Sequence, residues 1–524
     1  MDATGLLGLA RGLLVFAALR AESPLREAVA VLAALAGEPP PPAAPGVASA
    51  DATAAGDGPW RPLEAYGALF RALAESDGAA RARPGVDPLT GALVDAVLLD
   101  ENPLSRAAQA AGPGGAVPAP LLAAGAADLR ALQALAAAAP GLPEAVAAAS
   151  GRLDPPPWWP AAPDPDPDPA GPGAPAAADG AAAPADDAAA TPAVEGLARR
   201  LAAAPDWGAL TAALAAHYAR YGSGRFARYR AFRWVDPQTG VVPVPVPDAV
   251  RPGDLIGYAA ERALLRSNTV QFLAGYPANN VLLYGDRGTG KSSSVKALLN
   301  ERRPAGGPGG PDGPEDGSAA GASGAAGGAV DWSRLRLIEV PKARLADFPA
   351  IVAGLRRRPQ RFILFVDDLS FEEGETQYKD MKAMLEGGLE ARPENVVVYA
   401  TSNRRHLIRE QFADRAALGS DEVHAMDTVQ EKLSFADRFG LTITFPTPDQ
   451  AGYLAIVAGL AGQRGLRVDP AALRARAIEW AAWHNGRSGR TARQFVDYLA
   501  GEVGLAAAGG AVAPVVPAAA PARP

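Results

Sequence analysis

The chain has 524 residues, of which 57 are Gly and 50 are Pro. Together these are about a fifth of the chain against a usual ~12%, so a large share must be linker rather than core. With no cysteine, disulfide frameworks, Cys-ligated zinc, iron–sulfur clusters and thiol catalysis are excluded, and four scattered histidines (His217, His406, His424, His484) speak against a His-based metal centre. A net charge of −7, from 50 Lys+Arg and 57 Asp+Glu, excludes a globally cationic nucleic-acid coat and leaves only local basic patches.

Residues 1–154 carry helical patterning, with Leu63, Tyr66, Phe70 and Leu73 behind Trp60, but Pro and Gly interrupt it often. A loose helical region with few large residues to lock it is expected. Its first apolar run, Leu6 to Leu19, is broken by Arg11 and has no cationic stretch before it, so it fits neither a membrane span nor a secretory signal. No membrane partner and a cytoplasmic location are expected. Residues 155–196 are dominated by Pro and Ala, a composition that cannot bury enough apolar surface to offset chain entropy, and they read as a linker.

Residues 197–249 form a helical segment rich in arginine and aromatics. From Ala216 to Trp234, Arg220, Arg225, Arg228, Arg230 and Arg233 interleave with Tyr218, Tyr221, Phe226, Tyr229, Phe232 and Trp234, with no acid among them. Stacking aromatics with arginines are what single-stranded nucleic-acid binding uses. The blander reading, that the aromatics dock this segment onto the following core, suits the acidic chain better, so nucleic acid is not the favoured partner.

Val281 to Tyr284 is a strand-type apolar run. It is followed by Gly285-Asp286-Arg287-Gly288-Thr289-Gly290-Lys291-Ser292 and then, from Ser293, by a helical stretch. This is the strand, loop and helix context of a phosphate-binding loop. Glycines let backbone N–H groups turn inward around phosphates, Lys291 would reach the β- and γ-phosphates, and the Ser292 hydroxyl would ligate Mg2+. An ordinary glycine turn is the alternative. The chain has only six lysines, and its composition makes ~0.007 accidental matches expected, so ATP binding is the stronger reading.

A Gly-rich tract, 304–329, interrupts this core. Phe362 to Val366 then forms an apolar strand ending in Asp367 and Asp368. Asp367 is the expected Mg2+ partner, on a strand neighbouring that of the phosphate loop, and Asp368 or a following acid would orient the attacking water. The next strand, Asn395 to Thr401, ends near Asn403, which could hold the water or the γ-phosphate from the side. Arg438 precedes a last strand, Leu441 to Phe445. Facing a neighbouring subunit's nucleotide it would act as an arginine finger; otherwise it is a surface arginine paired with Asp437.

This order of motifs resembles the AAA+ ATPases. More narrowly, Tyr284 to Asn300, Asp367 to Glu375, Leu385 to Asn395 and Ala400 to Leu407 resemble an uncharacterised bacterial AAA+ family, the domain-of-unknown-function family 815, over about His217 to Leu505. The resemblance implies an α/β P-loop NTPase core with a parallel sheet over 250–446, a C-terminal helical lid over 447–505 and a tail over 506–524, preceded by a helical, partly disordered N-terminal region. It also implies that Ile256 and Gly257 lie beside the adenine and that Arg493, chosen over Arg490, touches the γ-phosphate from the lid. An assembly of like subunits is implied, acting on an unidentified protein client. The usual pair after the acid-bearing strand is Asp-Glu; here it is Asp367-Asp368, one methylene shorter, so Glu372 or Glu373 could substitute and slow turnover is expected. A DNA-directed loader or transposition helper and a non-hydrolysing nucleotide-gated scaffold are the rival functions.

Overall fold

The structure is a computed structural model describing residues 2–39, 61–75, 83, 85–158, 192–301, 330–369, 393–403, 438–484 and 486–507. Glu372, Glu373, the Gly-rich tract 304–329, the central part of the Pro/Ala linker and the tail beyond Ala507 lie outside the described residues. Two compact units divide the chain. One comprises Met1–Arg230 with Arg357–Gln360, and the other Ala231–Arg356 with Arg361–Pro524.

The first unit is helical: α1 (Ala3–Arg11), α2 (Leu25–Leu35), α3 (Arg61–Glu75), α4 (Pro88–Leu99), α5 (Pro103–Ala111), α6 (Ala119–Ala138), α7 (Leu142–Ala149), α8 (Pro192–Ala203), α9 (Thr211–Tyr221) and the single turn α10 (Arg225–Arg228). Its core is tighter than its composition predicts. Buried Leu, Val and Ala side chains run as one cluster from Leu7 to Ala219, with Phe16, Tyr66, Trp207 and Tyr218 among them. Small residues let helices approach closely. A Cβ on Gly125 of α6 would stand 3.0 Å from Leu104 Cδ2 and 3.3 Å from Thr211 Cγ2.

A buried carboxylate also locks this unit, because Asp128 accepts backbone N–H bonds from Leu14 (2.8 Å), Val15 (2.6 Å) and Phe16 (3.0 Å) in the turn after α1. The helical run Ala119–Ala149 is, by length and composition, apolar enough to cross a membrane. Its Leu129, Leu132 and Leu135 are nevertheless buried in this core. Helix α8 begins before the expected end of the linker, since Leu197, Ala198 and Leu201 recur at helical spacing and are buried.

The arginine–aromatic segment is divided between the units. Tyr218 and Phe226 are buried in the first, with the Tyr218 hydroxyl donating to Val97 O and Arg358 lying 4.7 Å over the Phe226 ring. Phe232 and Trp234 belong to the second, where they alternate with exposed Arg233 and Val235 on a strand. The expectation that all these aromatics dock on the α/β core is corrected accordingly.

The second unit holds seven strands among the described residues: β1 (Ala231–Asp236), β2 (Gly240–Pro243), β3 (Val281–Gly285), β4 (Leu335–Glu339), β5 (Arg361–Val366), β6 (Val396–Ser402) and β7 (Leu441–Phe445), in the sheet order β2-β1-β4-β5-β6-β3-β7. All neighbouring pairs are parallel except the β1–β2 hairpin. Strands β5 and β6 are apolar almost throughout because both of their faces are buried, as parallel sheets require.

One expectation changes. The acid-bearing β5 does not neighbour the phosphate-loop strand β3, because β6 is inserted between them. Parallel strands all present their C-terminal ends at one edge, where ligands bind in such sheets. The core helices include α11 (Ala259–Leu273), α12 (Lys291–Ala297) and α13 (Phe348–Leu355). The lid, α14 (Gln450–Gln463), α15 (Pro470–Trp483) and α16 (Gly489–Ala507), has its own core of Tyr453, Val457, Ala477, Phe495 and Leu499.

Gly285 closes β3 with φ +146°, and a Cβ there would meet Phe445 O of β7 at 2.0 Å. Gly285→Ala should therefore lower stability by ~2 kcal/mol or more and displace the loop that follows, which thermal unfolding checks.

Candidate functional site

A cleft of about 540 Å³ opens at the C-terminal edge of the sheet, beneath the lid. The loop after β3 forms one wall, with Arg287, Gly288, Thr289, Gly290, Lys291, Ser292 and Ser293 all lining it. Two glycines shape that wall. Gly290 takes φ +93° as the residue capping α12, and Gly288 takes φ +80° where a Cβ would stand 2.9 Å from Ser488 Oγ of the lid. The Gly288 carbonyl accepts the Arg490 N–H at 3.2 Å, tying loop to lid. Thr289 Oγ1 donates to Asp286 O at 2.9 Å, which closes the loop on itself.

Lys291 is 5% exposed, and its ammonium donates to Gly285 O (2.6 Å), Asp286 O (2.8 Å) and Asn403 Oδ1 (3.0 Å). Burial lowers its pKa, while Asp286, Asp367 and Asp368 act in the opposite sense. The cation is thus held at the head of the loop by carbonyl oxygens and by the strand that separates loop from acids.

The opposite wall carries the acids. Ser292 Oγ donates to Asp367 Oδ1 at 2.6 Å, and Asn403 Nδ2 donates to Asp368 Oδ1 at 2.5 Å. Ser292, Asp367, Asp368 and Asn403 all line the cleft. A serine hydroxyl whose proton is directed to a carboxylate keeps its lone pairs for a hard cation. One hydroxyl and one or two carboxylates beside a phosphate-shaped loop suit Mg2+, which seldom takes an all-protein cage. Among the described residues no cluster of three His, Asp or Glu side chains offers such a cage.

The third wall is apolar, with Leu255 and Ile256 from the core and Ile456 and Leu460 from the lid. Ile256 packs with the lid cluster. Tyr258 has left-handed backbone (φ +53°), lines the cleft and donates its hydroxyl to Pro446 O at 2.7 Å. Burial, then Glu261 and Asp286, raises its pKa to about 12, so it remains a donor.

Several anticipated residues stand elsewhere. Gly257 (φ +81°), Gly285 and Asp286 are next to the cleft without lining it. The Asp286 carboxylate is instead bonded by the Thr447 hydroxyl at the tether into the lid. Arg490 and Arg493 both line the cleft. Arg438 does not. The register pairs Leu441 with Val281, so Arg438 lies before the N-terminal edge of the sheet, whereas the phosphate loop follows Gly285 at the opposite edge. The length of β3 alone separates them by ~13 Å.

Sequence reasoning missed Thr401. It is 1% exposed and lines the cleft. A signal was available, because Thr401 is a polar residue closing the apolar run of β6, two residues before Asn403. The apolar lid residues Ile456 and Leu460 were missed as well, since helix α14 is hydrophobic nearly all round and marks no single face.

The parallel sheet, the phosphate loop at its C-terminal edge and the helical lid define a P-loop α/β protein of AAA+ type. The chain belongs to the family described as "Protein of unknown function (DUF815)", whose model matches residues 227–503, more than half of its length. No functionally curated protein of similar sequence was found. Among solved structures, the Thermotoga maritima RuvB Holliday junction branch migration motor is similar over 50% of this chain and 68% of its own, at 13% identity and a TM-score of 0.32. One of its single-residue variants gives the same values, and another gives 12% identity at a TM-score of 0.32.

Proposed function

We propose that the chain binds ATP with Mg2+ in this cleft and hydrolyses it slowly, coupling the cycle to the remodelling of a macromolecular client, most simply a protein, within an assembly of like subunits. The observation that carries the reading is the convergence of Lys291, Ser292, Asp367, Asp368 and Asn403 at one sheet edge. The loop amides and Lys291 would hold the β- and γ-phosphates, the apolar wall at Ile256 and Ile456 the base, and Arg490 or Arg493 the γ-phosphate from the lid. Ser292 and Asp367 would hold Mg2+, which when bound spreads the negative charge that develops on the phosphate oxygens.

Asp368 would orient the attacking water and accept its proton, with Asn403 fixing the carboxylate through its amide. A short Asp, already engaged by Asn403, favours slow turnover. A protein that consumes ATP works where ATP is supplied, so the cytoplasm is its expected setting.

Phosphate release and equilibrium titration with a fluorescent ATP analogue, on wild type and Asp368→Ala, test this. Turnover should fall about 10-fold or more while affinity stays within about 3-fold, as befits a group acting in the transition state. Unchanged turnover would move the role to another acid. A wild-type protein that binds ATP and releases no phosphate would identify a nucleotide-gated scaffold, and turnover dependent on added DNA a DNA-directed loader.

A further inference from the structure

We propose that Thr401 is a positioning residue for the hydrolytic centre, fixing the acidic turn Asp367–Leu369 to the strand that carries Asn403. The proposal rests on the ATPase reading above and deepens it. Three hydrogen bonds converge on this one residue. Thr401 Oγ1 donates to Asp367 Oδ1 at 2.5 Å and accepts the Asp368 N–H at 2.9 Å, while Thr401 O accepts the Leu369 N–H at 2.7 Å.

A hydroxyl is the group that can donate and accept at once in this space, which neither valine nor alanine reproduces. The first bond orients the carboxylate assigned to the metal. Asp367 Oδ1 then lies between two hydroxyls, that of Ser292 from the phosphate-loop helix and that of Thr401 from the inserted strand. The second bond holds the backbone of Asp368, which is left-handed at φ +53°, a conformation that a non-glycine residue keeps only when its surroundings fix it.

The insertion of β6 between β3 and β5 gives this arrangement its consequence. Asn403, just past the end of β6, reaches Lys291 on one side and Asp368 on the other, and Thr401, two residues earlier, anchors the acids. One strand end therefore registers the cation of the loop against both carboxylates, although loop and acids are on strands that do not touch. Without the hydroxyl, Asp367 keeps Ser292 and the Asp368 N–H as donors, and the Asp368 amide keeps only the longer bond to Asp367 Oδ1 at 3.2 Å.

Thr401→Val, nearly isosteric and suited to a buried strand, and Thr401→Ser, which keeps the hydroxyl, separate this role from packing. Thr401→Val should lower kcat about 10-fold or more with ATP affinity within about 3-fold, and Thr401→Ser should recover kcat to within about 3-fold of wild type. A readout without turnover is the affinity for Mn2+ as a spectroscopic substitute for Mg2+ in the presence of a non-hydrolysable ATP analogue, which should weaken about 5-fold in the valine variant alone.

A readout without nucleotide is hydrogen exchange at the Asp368 amide, faster in Thr401→Val, where the 3.2 Å bond to Asp367 Oδ1 remains, than in wild type and Thr401→Ser. Thr401→Ala, read by the same exchange, serves where the valine variant does not fold. Equal kcat and equal exchange in Thr401→Val and wild type would overturn the proposal, as would a serine variant as impaired as valine. A wild type that shows the slow exchange and binds no ATP would overturn the ATPase reading while leaving the anchoring of the turn intact.

Discussion

Lys291→Ala should abolish nucleotide binding, weakening the affinity for a fluorescent ATP analogue at least ~100-fold, or about 3 kcal/mol. The ammonium is the cation at the head of the loop. It is nearly buried and already aligned by Gly285 O, Asp286 O and Asn403 Oδ1, so phosphate oxygens would exchange for existing acceptors without reorienting the side chain. Lys291→Arg should recover little, because a planar guanidinium cannot occupy the site of a compact ammonium held by carbonyls on two sides. Unchanged affinity in Lys291→Ala would remove the cleft assignment altogether.

Mixing two inactive variants should restore activity. Arg438 stands beyond the end of the sheet opposite to the phosphate loop, away from the nucleotide site of its own subunit; under the proposed assembly it would serve a neighbour's. An arginine finger contributes ~10³-fold or more in rate. Arg438→Ala should therefore lose nearly all turnover and keep its ATP affinity. Combined with Lys291→Ala subunits, which keep the arginine, it should regain a fraction of wild-type activity, and wild-type specific activity should rise with protein concentration. Variants that stay inactive together, with specific activity independent of concentration, would make Arg438 a structural residue and the shared site wrong.

The phosphate loop, the acid pair and Asn403 were legible in the sequence because each sits at the end of a short apolar run, and burial of a parallel sheet on both faces writes such runs plainly. Their order in the sheet was not legible. Nothing local to Arg361–Val366 or Val396–Ser402 records that the second lies between the first and β3; that depends on which helices cover which face. The β1–β2 hairpin went unread because five arginines drew attention to charge, while Phe232 and Trp234 alternating with Arg233 and Val235 carried the period of a strand. The first unit was read as loose because large side chains are few. Its tightness comes from Ala and Gly letting helices approach and from one carboxylate, Asp128, capping a distant turn, and no short window of sequence contains either.

Beside the loop after β3, the lid meets the rest of the second unit through the Thr447–Asp286 contact at its tether and the Arg490–Gly288 bond at the start of α16. The second of these lies at the N-terminal end of a helix of 19 residues. Such a helix is ~28 Å long, so a rotation of about 10° at its anchored end carries the far end through roughly 5 Å. The geometry is that of a lever with a short input arm. Under the proposed ATP cycle, ångström-scale adjustments at the loop after β3 would reach the far end of this helix enlarged, carried with the lid core into which Phe495 and Leu499 pack.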